Sequence, residues 1–355
     1  ESKLANMIKQ INAHVQSQYT LQGPPITKLP KDEKLSSQKG KFNGMLSKLQ
    51  SEFSLSDKDG IAEYHYAWWM KFVNNSKKNL SQLEKDGSYI PSKIALKLAT
   101  VKKTDYKSEP YQKYKGTKSK ILVLFTEQQK MKMQNGTLFS TGNHPVEALV
   151  PMLHLQNAGF EFEIYTPTGK PVVFEMWAFP SKDNEVLAIY NELKLKFEKP
   201  NSLHHFATNT GNVAANYAAV FIPGGHGAML GIPEDENVGK ILQWAHDSDL
   251  FTITLCHGPG SLLSTTLNNK KFLYEGYKMA VFPDSVDKQT PMIGYLPGHM
   301  PWGLSEKMKD LGVELMNTKS DDTVCLDRKL ITGASPLASN NLGKLAAETL
   351  LKVLN

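Results

Sequence analysis

The sequence predicts an α/β protein in which a mostly parallel sheet is covered by helices on both faces. Two observations lead to this fold. Short apolar segments alternate along the chain with segments whose apolar residues recur every three or four positions, the pattern of strands alternating with helices. Residues 121–125 are hydrophobic throughout, as expected of a strand buried on both faces. Strands that alternate with helices form parallel sheets with helices on both sides.

The predicted elements follow one another from residue 120 to the end of the chain. We predict strands at 121–125, 160–165, 217–222, 251–255, 277–281 and 313–316, and a hairpin over 323–332. We predict helices that open at 143–145, span 183–198 and 238–245, include 307–311 and close the chain around 342–354. Pro145 and Gly159 are typical of the first turn and the end of a helix, respectively.

The first part of the chain differs from the remainder. Residues 1–22 have apolar side chains at helical spacing, and residues 64–72 contain an aromatic cluster. Such an apolar helix and aromatic cluster favour packing against the main domain. We therefore expect a helical N-terminal extension over residues 1–85 and a catalytic domain over 86–355, with a small accessory insert at 166–212.

Composition narrows the class of protein. Of the 355 residues, 40% are hydrophobic and 21% charged, and no segment approaches the ~18 apolar residues of a membrane helix. The net charge of +6 comes from lysine, since Arg328 is the only arginine. Recognition of phosphates and bases relies largely on arginine, so we expect no nucleic-acid binding. Two cysteines make no disulfide framework, and we expect a cytoplasmic protein without membrane association.

The clearest chemical signal lies in residues 252–260, where an apolar strand ends at Cys256 and glycine and proline follow. A nucleophile at a sharp turn between strand and helix is held in a strained, exposed position. The helix N-terminus and the adjacent His257 favour a thiolate, so we expect an exposed, easily oxidised cysteine of low pKa. The alternative is an inert cysteine buried at a strand end.

Three turns fall at the carboxyl ends of predicted strands: the turn after Phe125, the Gly224–Gly225 turn and the turn at Cys256. Active sites of open parallel sheets lie at this edge. The coincidence favours a catalytic Cys256 over an inert one.

Four longer segments carry a resemblance to a known family. They are Leu138–Glu147, Ile222–Gly227, Leu255–Pro259 and Ala280–Pro291. From about Tyr89 to its last residue, the chain is similar to the bacterial glutathione-independent glyoxalases (glyoxalase III), a heat-shock and holding-chaperone family within the PfpI superfamily. The resemblance implies a flavodoxin-like three-layer sandwich with a nucleophile elbow, of the class I glutamine-amidotransferase type.

The resemblance also implies catalytic residues. It makes Cys256 the nucleophile, His257 its neighbouring histidine, Asp287 the acid that orients this histidine, and Glu147 a glutamate near the sulfur. A glutamate beside a thiolate should have a raised pKa and can hold or move a proton. Each residue also has a purely structural explanation: Glu147 can complement a helix dipole, Asp287 can cap a loop, and His257 can pack in a core.

The same resemblance implies an oxyanion hole formed by the backbone of Gly225, with Gly224 beside it and the amide of His257. Two successive glycines let the backbone approach a substrate oxygen closely. The alternative is that both glycines serve only the turn.

The implied reaction converts methylglyoxal and water to lactate without glutathione, as a lyase of the D-lactate dehydratase type. The thiolate attacks the aldehyde carbon of this small 2-oxoaldehyde and forms a hemithioacetal. His257 or Glu147 then moves the proton between the two carbons, and water hydrolyses the thioester. This chemistry needs no metal and no organic cofactor. The resemblance further implies a homodimer, and protein deglycation is often proposed for the superfamily.

One departure concerns a His/Glu/His metal site that members of the family can carry. The corresponding positions are Gln156, Glu161 and Leu193, so we expect no metal there. Two alternatives to the glyoxalase stay open. One is a non-enzymatic holding chaperone for unfolded proteins, and the other is a cysteine peptidase or amidase, which needs an open groove for its substrate.

Overall fold

The computed structural model describes residues 80–355. All of these except Leu80 belong to one compact unit, Ser81–Asn355. The predicted helix at 1–22 and the aromatic cluster at 64–72 lie outside the described residues. The boundary between an extension and a catalytic domain after residue 85 therefore stays a prediction.

A seven-stranded sheet forms the centre of this unit. Numbered in chain order, its strands lie side by side as β12 (Val324–Asp327), β13 (Leu330–Gly333), β9 (Phe251–Leu255), β8 (Tyr217–Ile222), β3 (Lys120–Leu124), β6 (Glu161–Thr166) and β7 (Asn201–Ser202). All neighbouring strands are parallel except β12 and β13, which form the predicted hairpin. The mostly parallel sheet is therefore confirmed.

Two smaller sheets lie outside the central one. The first contains the short strands β1 (Gln82–Leu83), β2 (Tyr89–Ile90), β5 (Leu138–Ser140) and β4 (Lys130–Lys132), in that order. The second pairs β10 (Lys278–Met279) in parallel with β11 (Glu314–Leu315). The strands predicted at 277–281 and 313–316 are thus shorter than expected and pair with each other rather than with the main sheet.

The α-helices of the described residues are α1 (Lys93–Ala99), α2 (Pro145–Asn157), α3 (Asn184–Glu198), α4 (Leu203–Ala207), α5 (Glu236–Asp247), α6 (Asp284–Asp287), α7 (Leu304–Asp310) and α8 (Ser339–Leu354). Helix α2 begins after His144, with Pro145 in its first turn. Gly159 follows its end with φ +93°, a conformation that glycine adopts without strain. Within residues 80–355, none of the helices has the length and hydropathy needed to span a bilayer.

The alternation along β3 shows how the core is divided. Ile121 and Val123 contribute to a cluster that includes apolar side chains of α2, α3 and α8, whereas Leu122 and Leu124 contribute to a second cluster with side chains of α5. All four side chains are almost fully buried, which stabilises the fold by about 1.5–3 kcal/mol for each. Helices therefore cover both faces of the sheet, as the three-layer prediction requires.

Residues 166–212, which we expected to form an accessory insert, complete the main unit. Helix α3 packs four buried apolar side chains, among them Ile189 and Phe197, into the same core cluster as α2. Strand β7 follows α3 and pairs with the end of β6 at one edge of the central sheet.

The segment after Cys256 is helical, but its geometry is that of a 3₁₀-helix. Residues Gly258–Asn269 form a 3₁₀-helical segment that is interrupted at Leu267 and Asn268. A helical segment therefore follows the sharp turn, as predicted, but it is a 3₁₀-helix.

Candidate active site

The carboxyl edge of the central sheet brings the four predicted side chains into one buried cluster. Cys256 and His257 follow β9 directly, Glu147 lies in the first turn of α2, and Asp287 ends α6. Their exposed fractions are 3%, 1%, 1% and 5%, respectively. Residues distant in sequence thus meet at the edge where parallel sheets usually carry their sites.

Cys256 has the strained backbone expected of a residue at a sharp turn. Its φ is +58°, in the left-handed region that costs a non-glycine residue roughly 1–2 kcal/mol. Hydrogen bonds hold it there from both sides: its N–H donates to the carbonyl of Gly333 at 2.8 Å, and its carbonyl accepts from the N–H of Phe282 at 2.9 Å. The surrounding structure therefore maintains the strain at this residue.

His257 connects the thiol to a carboxylate. Its Nδ1 lies 3.4 Å from Cys256 Sγ, and its Nε2 lies 2.8 Å from Asp287 Oδ2. The ring is held between His226, at 4.0 Å between centroids, and Phe282, at 4.6 Å. An Nε2–H that donates to the carboxylate leaves Nδ1 as an acceptor for the thiol proton.

Burial raises the pKa of the Cys256 thiol well above its usual range, and the neighbouring carboxyl groups of Glu147 and Asp287 raise this pKa further. The backbone N–H of His257 opposes this shift without cancelling it. The predicted exposed thiolate of low pKa is therefore wrong, because the turn lies beneath other segments of the chain.

Glu147 faces the sulfur. Burial raises the pKa of its carboxyl well above the ordinary value, and the nearby Glu175 raises it further, whereas contacts with Cys256 and the N–H of Gly225 lower it. Within residues 80–355, its Oε2 has no hydrogen-bond partner. The raised pKa agrees with the expectation for a glutamate beside a cysteine, and this carboxyl is available to hold a proton.

Close packing explains the two glycines after β8. A Cβ on Gly224 would collide with Glu147 Oε2 and would lie 2.5 Å from the carbonyl oxygen of Leu255 and 2.9 Å from Cys256 Cβ. Gly225 has φ +99°, and a Cβ there would lie 2.5 Å from the backbone nitrogen of His144. The glycines therefore allow the backbone to lie against the side chains of Glu147 and Cys256, and their role as an oxyanion hole stays a prediction.

Sequence reasoning missed two buried residues of this cluster. His226 lies inside the Ile222–Gly227 motif, but we assigned it no role there; its Nε2 lies 3.1 Å from Asp287 Oδ1. Glu175 is 1% exposed and accepts a hydrogen bond of 2.7 Å from the Thr141 hydroxyl. Burial raises its pKa to about 7. The motif could have indicated His226, whereas no local pattern marks Glu175.

Two groups of residues could be considered as a metal site. Within the described residues, His226, His257 and Asp287 place their donor atoms within 4.8 Å of one another, but both imidazole Nε2 atoms are already paired with Asp287. At the family's metal positions, the Gln156 amide donates to Glu192 at 2.8 Å, and Leu193 packs in the core. The residues at those positions do not fit a metal.

The layered fold and the cysteine at the end of a central strand define a class of α/β proteins with a nucleophile elbow. No family model matches the chain. It is 43% identical over 280 residues to the protein/nucleic acid deglycase HchA of Escherichia coli, covering 79% of this chain and 98% of that protein. The Staphylococcus aureus protein of the same name is also 43% identical, over 281 residues, covering 79% and 96%. The chain belongs to the HchA deglycase family.

This membership confirms the resemblance inferred from the sequence and makes the chain an enzyme of that family. The crystal structure of glyoxalase III from Candida albicans has the same fold, with a TM-score of 0.51 and 19% identity, covering 66% of this chain and 97% of that one. The name of the bacterial relatives includes nucleic acid, so the exclusion of nucleic acid as a substrate stays a prediction.

Proposed function

We propose that this protein is a glutathione-independent glyoxalase that converts methylglyoxal and water to lactate, as a lyase of the D-lactate dehydratase type. One observation carries the proposal: Cys256 Sγ lies 3.4 Å from His257 Nδ1, and His257 Nε2 lies 2.8 Å from Asp287 Oδ2, beside the buried carboxyl of Glu147. A nucleophile, a base and a group that orients the base are the parts that covalent catalysis needs.

The first step forms a carbon–sulfur bond. His257 Nδ1 takes the thiol proton as Cys256 Sγ attacks the aldehyde carbon. The protonated Glu147 carboxyl gives its proton to the aldehyde oxygen, which becomes the hydroxyl of a hemithioacetal. Because the resting pKa of the thiol is high, proton transfer accompanies the attack instead of preceding it.

The second step moves hydrogen between the two carbons. We assign it to Glu147, since both ring nitrogens of His257 are already engaged. The Glu147 carboxylate removes the proton from the former aldehyde carbon, and the resulting enediol receives it at the neighbouring carbon. The hydroxyl proton passes to the second oxygen, which leaves a thioester of lactate. Backbone N–H groups of Gly225 and His257 face this region and would stabilise negative charge on oxygen.

Hydrolysis completes the cycle. Water adds to the thioester carbonyl, the carbon–sulfur bond breaks, and the departing sulfur recovers its proton from His257. No net oxidation occurs, because the aldehyde carbon is oxidised as its neighbour is reduced. The burial of Cys256 favours a substrate of a few atoms over a peptide, which would need an open groove.

A second candidate function is the removal of glycation adducts. The name of the bacterial relatives supports it, and the same thiol could attack the carbonyl carbon of a 2-oxoaldehyde adduct. A holding-chaperone activity draws less support from the described residues. Their exposed large apolar side chains, such as Leu83 and Leu195, are single residues, which folded proteins commonly expose. We also propose a homodimer in the cytoplasm, testable by light scattering and cell fractionation.

The decisive test is lactate formation from methylglyoxal without glutathione, in the presence of a chelator. We expect turnover by the wild type and by Cys325→Ala, the matched control, and a loss of at least about 10³-fold in Cys256→Ala. Turnover that survives in Cys256→Ala would refute the cysteine mechanism. Absence of turnover in the wild type would favour the deglycase or chaperone alternatives, which the same variants can separate in assays of each activity.

A further inference from the structure

Each oxygen of the Asp287 carboxylate is hydrogen-bonded to a histidine ring. His257 Nε2 lies 2.8 Å from Oδ2, and His226 Nε2 lies 3.1 Å from Oδ1. All three side chains are buried. A base that is oriented by a carboxylate needs only one of these contacts, so the second histidine requires an explanation.

His226 is held firmly in this position. The centroid of its ring lies 4.0 Å from that of His257, with 34° between the ring planes, and it makes a T-shaped contact with Phe139 at 5.7 Å and 89°. It begins the 3₁₀ turn that follows Gly225, whose φ of +99° lets the chain reverse after β8. Backbone geometry and aromatic packing therefore fix the direction of Nε2.

The titratable groups that face His226 come from several segments. Asp287 and His257 meet it at the carboxylate, Tyr295 lies 5.9 Å away between ring centroids, and His144 and Glu175 interact with it electrostatically. Burial opposes ionisation of Asp287, but its hydrogen bonds and electrostatic interactions with His257 and His226 outweigh it and hold its pKa below the usual range. Removal of either histidine should make this carboxylate easier to protonate.

We propose that His226 is a positioning residue for the cysteine reaction, which anchors Asp287 Oδ1 so that Oδ2 stays on His257 Nε2 and His257 Nδ1 stays directed at Cys256. The inference rests on the proposed role of Cys256 as nucleophile. A carboxylate with two charge-assisted hydrogen bonds cannot rotate without breaking one of them. Without His226, Asp287 can turn away from His257, and the base loses its orientation.

The test compares variants that keep or remove this contact. In His226→Gln, the side-chain amide can occupy the position of Nε2 and donate to Asp287, whereas His226→Leu has no donor and the amide of His226→Asn is too short. We expect kcat/KM for methylglyoxal to fall about 10–100-fold in the Leu and Asn variants and less than about 5-fold in the Gln variant. The acid limb of the pH profile should also move to higher pH in the first two.

A second measurement separates this inference from the choice of substrate. The rate of Cys256 alkylation by iodoacetamide, followed by mass spectrometry against pH, reports the base without any turnover. His204→Leu is the matched control, because His204 Nε2 pairs with Asp235 at 2.5 Å, on residues that are not part of the cysteine cluster. We expect His204→Leu and His226→Gln to have the wild-type alkylation profile, and His226→Asn to have a shifted one.

Thermal unfolding shows which variants fold. If His226→Leu does not fold, His226→Asn still tests the proposal. Unchanged alkylation profiles in a folded His226→Leu or His226→Asn variant would overturn the proposal and leave His226 a packing residue. An equal loss in the Gln variant would also overturn it. Shifted alkylation without methylglyoxal turnover in the wild type would uphold the positioning role and reject the proposed substrate.

Discussion

Two carboxylates near opposite ends of the central strands have opposite surroundings. Glu163 of β6 is fully paired: it accepts from Lys120 Nζ at 2.6 Å, from the Tyr165 hydroxyl at 3.1 Å, and from the Tyr217 hydroxyl. Lys120 and Tyr217 begin β3 and β8, so this network lies toward the amino ends of the strands. At the carboxyl ends, Glu147 has one oxygen without a hydrogen-bond partner among the described residues.

Hydrogen-bond and ion-pair partners explain why the pKa values of the two carboxyl groups shift in opposite directions. Burial opposes ionisation of Glu163, but Lys120 and Tyr217 outweigh it and hold its pKa below the ordinary value. Burial of Glu147 is not offset in this way, so its pKa is raised. Paired carboxylates stabilise a fold, whereas a buried carboxyl with a displaced pKa is available for proton transfer. The comparison thus separates a structural acid, Glu163 of β6, from the proposed proton carrier, Glu147 of α2.

Replacing each glutamate by glutamine tests the difference between Glu147 and Glu163 most directly. We expect Glu147→Gln to lower kcat/KM for methylglyoxal by about 10²–10⁴-fold, since the amide cannot transfer a proton. Its free energy of unfolding should change little, because a neutral amide replaces a buried carboxyl whose raised pKa favours the neutral form. Glu163→Gln should keep its turnover and lose stability. Equal turnover in the two variants would show that Glu147 is not the proton carrier.

Much of the fold could be predicted because local patterns determine it. Alternation along residues 121–125 placed successive side chains on the two faces of the sheet, and Pro145 and Gly159 marked the ends of α2. The strand that ends at Cys256 was visible in the same way. These features depend on neighbours in sequence, so one sequence suffices to predict them.

The burial of the site could not be predicted, because it depends on contacts between distant segments. The backbone of Cys256 is hydrogen-bonded to the N–H of Phe282 and to the carbonyl of Gly333. These residues lie 26 and 77 positions further along the chain. The local pattern alone indicated an exposed turn. The shared contact of His226 and His257 with Asp287, and the proximity of Glu175, likewise follow from topology and not from spacing.

Glu175, another buried carboxyl, should make the stability of the protein depend on pH. Its pKa is about 7 in the folded protein against an ordinary 4.5, so the folded state keeps a proton that the unfolded state releases between these values. Stability from this group is therefore present at low pH and is lost as pH rises toward 7. His144 acts in the opposite direction, since burial lowers its pKa to about 3 and its contribution grows with pH up to about 6.5.

Comparing Glu175→Gln with the wild type isolates the contribution of Glu175 from that of His144. We expect the variant to gain stability relative to the wild type between pH 5 and pH 7.5, by on the order of 2 kcal/mol. Urea unfolding at several pH values measures the difference. A difference that stays constant over this range would mean that Glu175 does not hold its proton in the folded state.

The smallest effect is expected from Tyr217→Phe, which removes one donor from Glu163 and leaves Lys120 and Tyr165 in place. A hydrogen bond to a charged group contributes about 1.5–3 kcal/mol, and the two remaining partners should limit the loss to the lower end of that range. Turnover should match that of the wild type, because no reacting group is touched.

The loss of stability in Tyr217→Phe should depend on pH in the direction set by the lowered pKa of Glu163. Stability from a carboxylate whose folded pKa is depressed is present above its ordinary value of 4.5 and is lost as pH falls through the folded value. The deficit of Tyr217→Phe should therefore be full at pH 7 and shrink below about pH 4, where Glu163 gains a proton in both proteins. Unfolding in urea at both pH values measures it. A deficit independent of pH, or a fall in turnover like that of Glu147→Gln, would erase the distinction between the two ends of the sheet.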